Sequence, residues 1–346
     1  MSTSEFPIRP GHLEDDLGAL IAELSEIAHD VRPAVSFESG SQQFRVCVSN
    51  TAYSNSIRLA HSSNALGAEP DATVYVLERQ ELDFWPRWSA RYFREREVEA
   101  EIRETRFRLH YFDECDFWQI FDRETSTGYQ LMPHALGYPK WDPGSPLRNF
   151  VHWQLLEVGH SLMHAGTLGN SGRGIMLAGE GGSGKSATVL SGIMHGLNSV
   201  GDDYVAFQQE KSITASKAFE IVKLDPDRME KLGIGTSDGE APNWQGKHLL
   251  ALDTVAGRSM PSSMTINAIC LPFVAGKSRT KIARASAQEA FLALAPSGIS
   301  QIPSARAEMF GFAASMSKKL PAYRVALGTE PDELVGVLKE FVEGLG

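Results

Sequence analysis

Gly179-Glu180-Gly181-Gly182-Ser183-Gly184-Lys185-Ser186 fits the pattern G-x-x-x-x-G-K-[ST] at every fixed position. Glycines there let the backbone wrap closely around a phosphate, with N–H groups converging on its oxygens. A helix beginning at the loop's end adds partial positive charge facing the anion. Lys185 would reach the β- and γ-phosphates of a nucleoside triphosphate, and the Ser186 hydroxyl would ligate Mg²⁺. Asp202 and Asp203 follow 17 and 18 residues after Lys185. Phosphoryl transfer needs a metal ligand and a general base beside the γ-phosphate, and two adjacent carboxylates offer both. The residues alone do not order the two roles.

These groups need elements to hold them. Gly174 to Ala178 is a short apolar run that reads as a buried strand, and Ser186 to His195 reads as a helix closed by Gly196. Strand, glycine-rich turn and helix is the context such a loop requires. Leu197 to Asp203 reads as a further short strand ending in the aspartates. In an open α/β sheet ligands bind at the carboxyl ends of strands, so a strand beside the loop strand would aim both carboxylates at the phosphates. Strands at 204–208, 219–224, 265–271, 281–284 and 322–328 then alternate with helices at 287–294, 304–318 and 331–345. Residues 226–245, rich in charge, Gly and Ser, read as a loop or flexible insertion.

Upstream the texture differs. An amphipathic helix over 11–30 carries Leu13, Leu17, Leu20, Ile21, Leu24 and Ile27 on one face, with Glu14, Asp15 and Asp16 in its first turn. Short β-like runs follow at 43–49, 56–61, 73–77, 106–112, 117–122 and 128–132, which predict a mostly antiparallel α+β domain. Between them Phe84, Trp85, Trp88, Tyr92 and Phe93 alternate with Arg87, Arg91, Arg94 and Arg96 and then with Glu95, Glu97, Glu99 and Glu101. The favoured reading is a hydrophobic cluster with a mixed-charge solvated face; the other is a docking surface. Pro139 to Pro146 is the clearest linker, and 147–161 reads as a helix beyond it. Two domains result, 1–145 and 146–346.

The chain has 346 residues, 42% hydrophobic and 22% charged, with a net charge of −10. That balance describes a globular protein with a full core and argues against general nucleic-acid binding. The longest apolar stretch, 266–276, is interrupted by Asn267 and Pro272 and falls short of the roughly 20 residues that span a bilayer. Cys47, Cys115 and Cys270 are odd in number and far apart, which predicts neither a disulfide framework nor a metal site. A reducing, cytoplasmic setting is expected, with no membrane partner.

From about Leu147 onward the chain resembles the HPr kinase/phosphorylase-like serine kinases, a group related in fold to phosphoenolpyruvate carboxykinase. The resemblance is carried in order by His164-Ala165, Gly174 to Gly179, Gly184-Lys185-Ser186, Gly196 and the closely following Asp202-Asp203. It implies an α/β fold whose phosphate-binding kinase domain transfers the γ-phosphate of Mg·ATP to a serine hydroxyl of a protein or peptide. It implies nucleotide contacts at Gly179, Gly181, Gly182, Ser183, Gly184, Lys185, Ser186 and Ala187, and Mg²⁺ at Ser186 and Asp202. It makes Asp203 the base and His164 the group that orients Asp203 or touches the transferring phosphate. His160 has no such counterpart. The family's later glycine-rich signature is blurred here into 230–235, so Glu230 is only a weak second metal candidate and the reverse phosphorolysis is in doubt. Lys247, Arg258, Lys277 and Arg279 are phosphate-clamp candidates by charge alone. The N-terminal part looks more like the kinase-like proteins encoded beside peptide-modification genes, including lasso-peptide tailoring kinases. That suggests a small ribosomal peptide as acceptor. Relatives in the family are often homo-oligomers.

Three functions stand open on these residues: a serine kinase, a small-metabolite kinase with residues 1–145 forming the acceptor pocket, and a nucleotide sensor that transfers nothing. The full set Lys185, Ser186, Asp202 and Asp203 speaks for transfer, because a sensor has no use for a base.

Overall fold

The computed structural model describes residues 4–61, 69–89, 95–135, 137–231, 234–235, 242–299 and 303–345. The chain forms a mixed α/β architecture of several sheets. It divides into two compact units: residues 1–38, 42–58 and 62–157 make the first, and 39–41, 59–61 and 158–346 the second.

In the first unit the elements run β1 (Ser4–Ile8), α1 (Leu13–Ala28), β2 (Pro33–Ser39), β3 (Gln42–Val48), α2 (Thr51–Ala60), β4 (Ala72–Glu78), β5 (Phe84–Trp88), α3 (Glu95–Ile102), β6 (Phe107–Phe112), β7 (Phe117–Asp122), β8 (Thr127–Met132) and α4 (Arg148–Glu157). Helix α1 forms as its spacing predicts, and Leu13, Leu17, Leu20 and Leu24 pack with Trp118, Ile120 and Leu131 of the sheet. Glu101 of α3 accepts the Gly11 and Leu13 N–H groups at 2.8 and 2.7 Å, satisfying donors at the start of α1.

Three expectations for this unit are corrected. Residues 56–61 are not a strand: α2 starts where Asn50 Oδ1 accepts the Tyr53 N–H at 2.9 Å. Tyr53, Ile57 and Ala60 are buried at helical spacing, a period that a six-residue window hides. The six-stranded sheet, in the order β2-β3-β4-β8-β7-β6, is accordingly mixed rather than mostly antiparallel. A helix between β3 and β4 makes a crossover connection, and β3–β4 and β4–β8 pair parallel. The division falls at Glu157, not near residue 145, because α4 belongs to the first unit. Of the aromatic–arginine segment, Trp85 is buried beneath the Arg79 guanidinium, 4.2 Å from its ring. Arg91, Tyr92, Phe93 and Arg94 lie outside the described residues.

In the second unit the elements run β9 (His160–His164), β10 (Gly166–Asn170), β11 (Arg173–Leu177), α5 (Lys185–Met194), β12 (Tyr204–Gln209), β13 (Ile213–Lys217), β14 (Ile221–Leu224), α6 (Pro226–Lys231), β15 (His248–Ala251), α7 (Leu252–Ala256), β16 (Ser263–Lys277), β17 (Lys281–Ala285), α8 (Ala287–Ile299), α9 (Arg306–Lys319), β18 (Ala322–Gly328) and α10 (Pro331–Glu343). The main sheet follows the order β10-β11-β16-β13-β12-β9, with β18 on β16 and β17 on β18. Strands β11, β16 and β18 are parallel neighbours, and α5 and α10 share one core with them through Ile175, Leu177, Val189, Ile193, Cys270, Val325 and Leu338. The segment 226–245 contains α6, a correction to its reading as loop; residues 232–233 and 236–241 are not described. All three cysteines are free, and among the described residues no helix is long and apolar enough to cross a membrane.

The first unit also holds a chain of buried polar side chains. Asn149 donates to Gln119 at 2.6 Å, Gln119 to Gln130 at 2.8 Å, Gln130 to the Tyr53 hydroxyl at 2.6 Å, and Tyr53 to Asp142 at 2.7 Å. Burial pushes the Asp142 carboxyl up to about 7, against the opposing pull of Tyr53 and Arg148. A carboxyl whose folded pKa exceeds its unfolded value weakens the fold as pH rises from near 4 to 7. Asp142→Asn should therefore stabilise this unit more at pH 8 than at pH 5, by a difference on the order of 2 kcal/mol. Urea unfolding followed by tryptophan fluorescence reads it, since five of the six tryptophans (85, 88, 118, 141 and 153) lie in this unit. An equal effect at both pH values would contradict the assignment.

Candidate active site

The loop between β11 and α5 is shaped by its glycines. Gly179, Gly182 and Gly184 take φ values of +152°, +81° and +100°, a region that side-chain-bearing residues avoid. At Gly184 a Cβ would also lie 2.4 Å from Leu327 Cδ1, which would have to move aside. Gly184 caps α5, whose first turn leaves its N–H groups without partners inside the helix. The Lys185 ammonium arches back to donate to the Gly179 and Glu180 carbonyls at 2.6 and 3.0 Å. A lysine has three N–H donors, so one remains for a ligand. Burial lowers the Lys185 pKa, opposed by the charges of Asp202 and Asp203. The Ser183 hydroxyl is buried inside the loop with no partner among the described residues, which suits a phosphate oxygen as acceptor.

Asp202 and Asp203 do not end a strand. Residues 197–203 form one isolated bridge, Gly169 to Asn198, and otherwise run irregularly along the free edge of β10 into β12. The correction has a polar cause. Backbone pairing is kept at three points: Gly169 with Asn198 at 2.8 Å, Thr167 N–H to Gly201 O at 3.1 Å, and Ala165 N–H to Asp203 O at 3.0 Å. Between them the Thr167 and Ser199 hydroxyls replace ladder bonds, Thr167 accepting from Val200 N–H at 3.0 Å and Ser199 from Gly201 N–H at 3.1 Å. Hydroxyl side chains competing with the ladder are what a propensity reading overlooks. Asp203 itself sits at φ +94°, a backbone conformation that a non-glycine residue keeps only when its surroundings enforce it.

The surroundings are an imidazole and an ammonium. His164 ends β9 opposite Tyr204, the first residue of β12, so its ring lies beside Asp203 and its Nε2 is 2.9 Å from Oδ1. Lys223 Nζ donates to Oδ2 at 2.5 Å. Burial pushes the Asp203 carboxyl up, but the His164 hydrogen bond and the Lys223 charge outweigh it and hold the group well below the usual carboxylate range. Asp202 behaves in the opposite way. It is buried, and pushed up to about 6 by burial and by the neighbouring Asp203 charge, against the opposing pull of Ser186, His164 and Lys185.

Asp202 Oδ1 is buried without a partner among the described residues. Gly166 opens the space beside it, since a Cβ there would stand 3.3 Å away. One carboxylate and one hydroxyl, with an unpartnered oxygen, fit a small hard cation that takes its other ligands from phosphates and water. Among the described residues no group of three or more His, Cys, Asp or Glu could hold a metal unaided.

The structure thus brings together Lys185, Ser186, Asp202, Asp203 and His164. It leaves others apart. Glu230 is exposed on α6, and His160 lies at the opposite end of β9 from His164. Arg258 is occupied by Asn198 Oδ1 and Leu197 O at 2.8 and 2.6 Å, holding the segment that leads to the aspartates. Lys277 is exposed at the end of β16 and Arg279 is exposed just after it, and the Lys247 N–H closes a turn on Asn243. Lys223 is the site residue that the sequence did not single out. Its only signal was a lone polar position between buried Val222 and Leu224.

No protein-family model matches the chain, and no curated protein matches it. Among solved structures the chain is similar to the HPr(Ser) kinase/phosphatase from Coxiella burnetii, at 13% identity over 53% of this chain and 99% of that one, with a TM-score of 0.29. Gly184→Ala should weaken binding of a nucleoside triphosphate at least tenfold with the helical content unchanged, as titration calorimetry and circular dichroism would show. Unaltered affinity would mean that the loop does not carry the phosphates.

Proposed function

We propose that the chain is a Mg·ATP-dependent kinase that transfers the γ-phosphate to a serine-type hydroxyl of a protein or peptide. The observation that carries this reading is the division of labour between the adjacent carboxylates. Asp202 keeps an unpartnered buried oxygen beside Ser186 and the phosphate loop, whereas Asp203 has both oxygens engaged by His164 and Lys223. A metal ligand needs the first environment, and an anionic proton acceptor fixed in orientation needs the second. A module that only senses nucleotide has no need of the second carboxylate.

In this reading the Gly179 to Ala187 backbone and the Ser183 hydroxyl receive the phosphates, and Lys185 swings its free N–H onto the β- and γ-phosphate oxygens. Ser186 and Asp202 would hold Mg²⁺, which supplies charge neutralisation on the polyphosphate. His164 holds the Asp203 carboxylate so that a free lone pair faces the incoming hydroxyl. The hydroxyl oxygen attacks the γ-phosphorus as its proton passes to Asp203, and the bond to the bridging oxygen breaks with its electrons left on ADP. A small ribosomal peptide is the proposed acceptor, on the resemblance of the N-terminal part to peptide-tailoring kinases.

Asp203→Asn should leave Mg·ATP affinity within a few-fold and reduce transfer by about 10²-fold or more, the scale of a general base. Isothermal titration together with a labelled-phosphate assay separates the two effects. Collapse of ATP affinity in this variant would exchange the roles given to Asp202 and Asp203.

A further inference from the structure

We infer that Lys223 is the cation that grips the transferring phosphoryl group, an assignment that rests on the kinase reading above. The cation candidates named from sequence charge alone do not meet the carboxylates, whereas Lys223 Nζ is 2.5 Å from Asp203 Oδ2. Its place is fixed by packing. In the β14–β15 ribbon, strand alternation buries Val222 and Leu224 in the same core as Val189 and Ile193 of the loop helix and turns Lys223 to the opposite face. The ammonium and the phosphate loop are therefore positioned from one hydrophobic cluster.

Distances then decide what Lys223 can reach. A hydroxyl hydrogen-bonded to Asp203 has its oxygen about 2.7 Å from the carboxylate. The reacting phosphorus lies about 3–3.5 Å beyond that oxygen, and so within about 6 Å of Asp203. Lys223 donates one of its three N–H groups to Asp203, leaving two to aim at non-bridging phosphoryl oxygens across that gap. Charge gives the reason for a cation here. An anionic base and an anionic phosphoryl group repel as they close, and a shared ammonium between them offsets the repulsion where it is largest. In the transfer Lys223 keeps its proton. The acceptor oxygen forms the new bond to phosphorus, its proton goes to Asp203, and the electron pair of the broken bond leaves with ADP.

The test uses the full chain and Mg·ADP with and without aluminium fluoride, a mimic of the phosphoryl group in flight. Calorimetry on wild type, Lys223→Met, Lys223→Gln and Lys223→Arg gives two affinities for each. Lys223→Met is expected to bind Mg·ADP within threefold of wild type but to lose about 10²-fold of the fluoride-dependent tightening, the scale of one transition-state donor. Lys223→Arg should keep most of that tightening. Equal tightening in wild type and Lys223→Met overturns the role of Lys223 alone, as does a Lys223→Gln variant that behaves like wild type, since that side chain retains a hydrogen bond to Asp203 without the charge. A wild-type chain that binds no Mg·ADP overturns the kinase reading itself.

Discussion

The site depends on the grip of an imidazole and an ammonium on one carboxylate. Asp203 is held through both oxygens, by His164 on one side and Lys223 on the other, on a backbone at φ +94°. Without those contacts a non-glycine residue would relax out of that conformation, and the segment 197–203 would lose its anchor at the entry to β12. The same contacts keep Asp203 ionised while its neighbour is pushed up to about 6. Two adjacent aspartates thus acquire different chemistry from their partners, not from their position in the chain.

Three elements converge to make this possible. The turn from β9 into β10 delivers His164 and then Gly166, one beside each carboxylate. Strand β11 delivers the phosphate loop, and the β14–β15 ribbon delivers Lys223. A single apolar cluster, from Leu168 through Val189 and Val222 to Val325, backs the loop helix, the ribbon and the parallel strands. A close-packed interior holds such spacings to fractions of an ångström, the precision that the proposed phosphoryl transfer would need from groups whose contribution is positioning.

Part of the fold was legible in the chain. The glycine-rich turn 179–184 lies between β11 and α5 as its flanking residues predict, and strands 117–122 and 322–328 match the observed β7 and β18 residue for residue. What failed to show has identifiable causes. The stretch Ser56 to His61 is too short a window to reveal the period of Tyr53, Ile57 and Ala60 that makes α2 a helix, and the parallel pairing of β3 and β4 is hidden with it. Residues 197–203 resemble a strand in sequence because the Thr167 hydroxyl, which breaks the ladder together with the local Ser199–Gly201 bonds, acts from a distant part of the chain. Lys223 lies 20 residues from Asp203 on a separate ribbon, and no local pattern connects them. Long-range side-chain pairs of this kind have no signature in a single sequence.

The central claim is that phosphorus leaves ATP for a hydroxyl on a peptide or protein. The direct measurement is to incubate the full chain with Mg²⁺, γ-labelled ATP and small proteins and peptides fractionated from its host, with Lys185→Ala as the blank, and to read the products by mass spectrometry. The account predicts a peptide or protein carrying phosphoserine that is absent from the blank. Label confined to small molecules would replace the peptide acceptor with a metabolite, and tight ATP binding with no transferred label in any fraction would contradict the kinase.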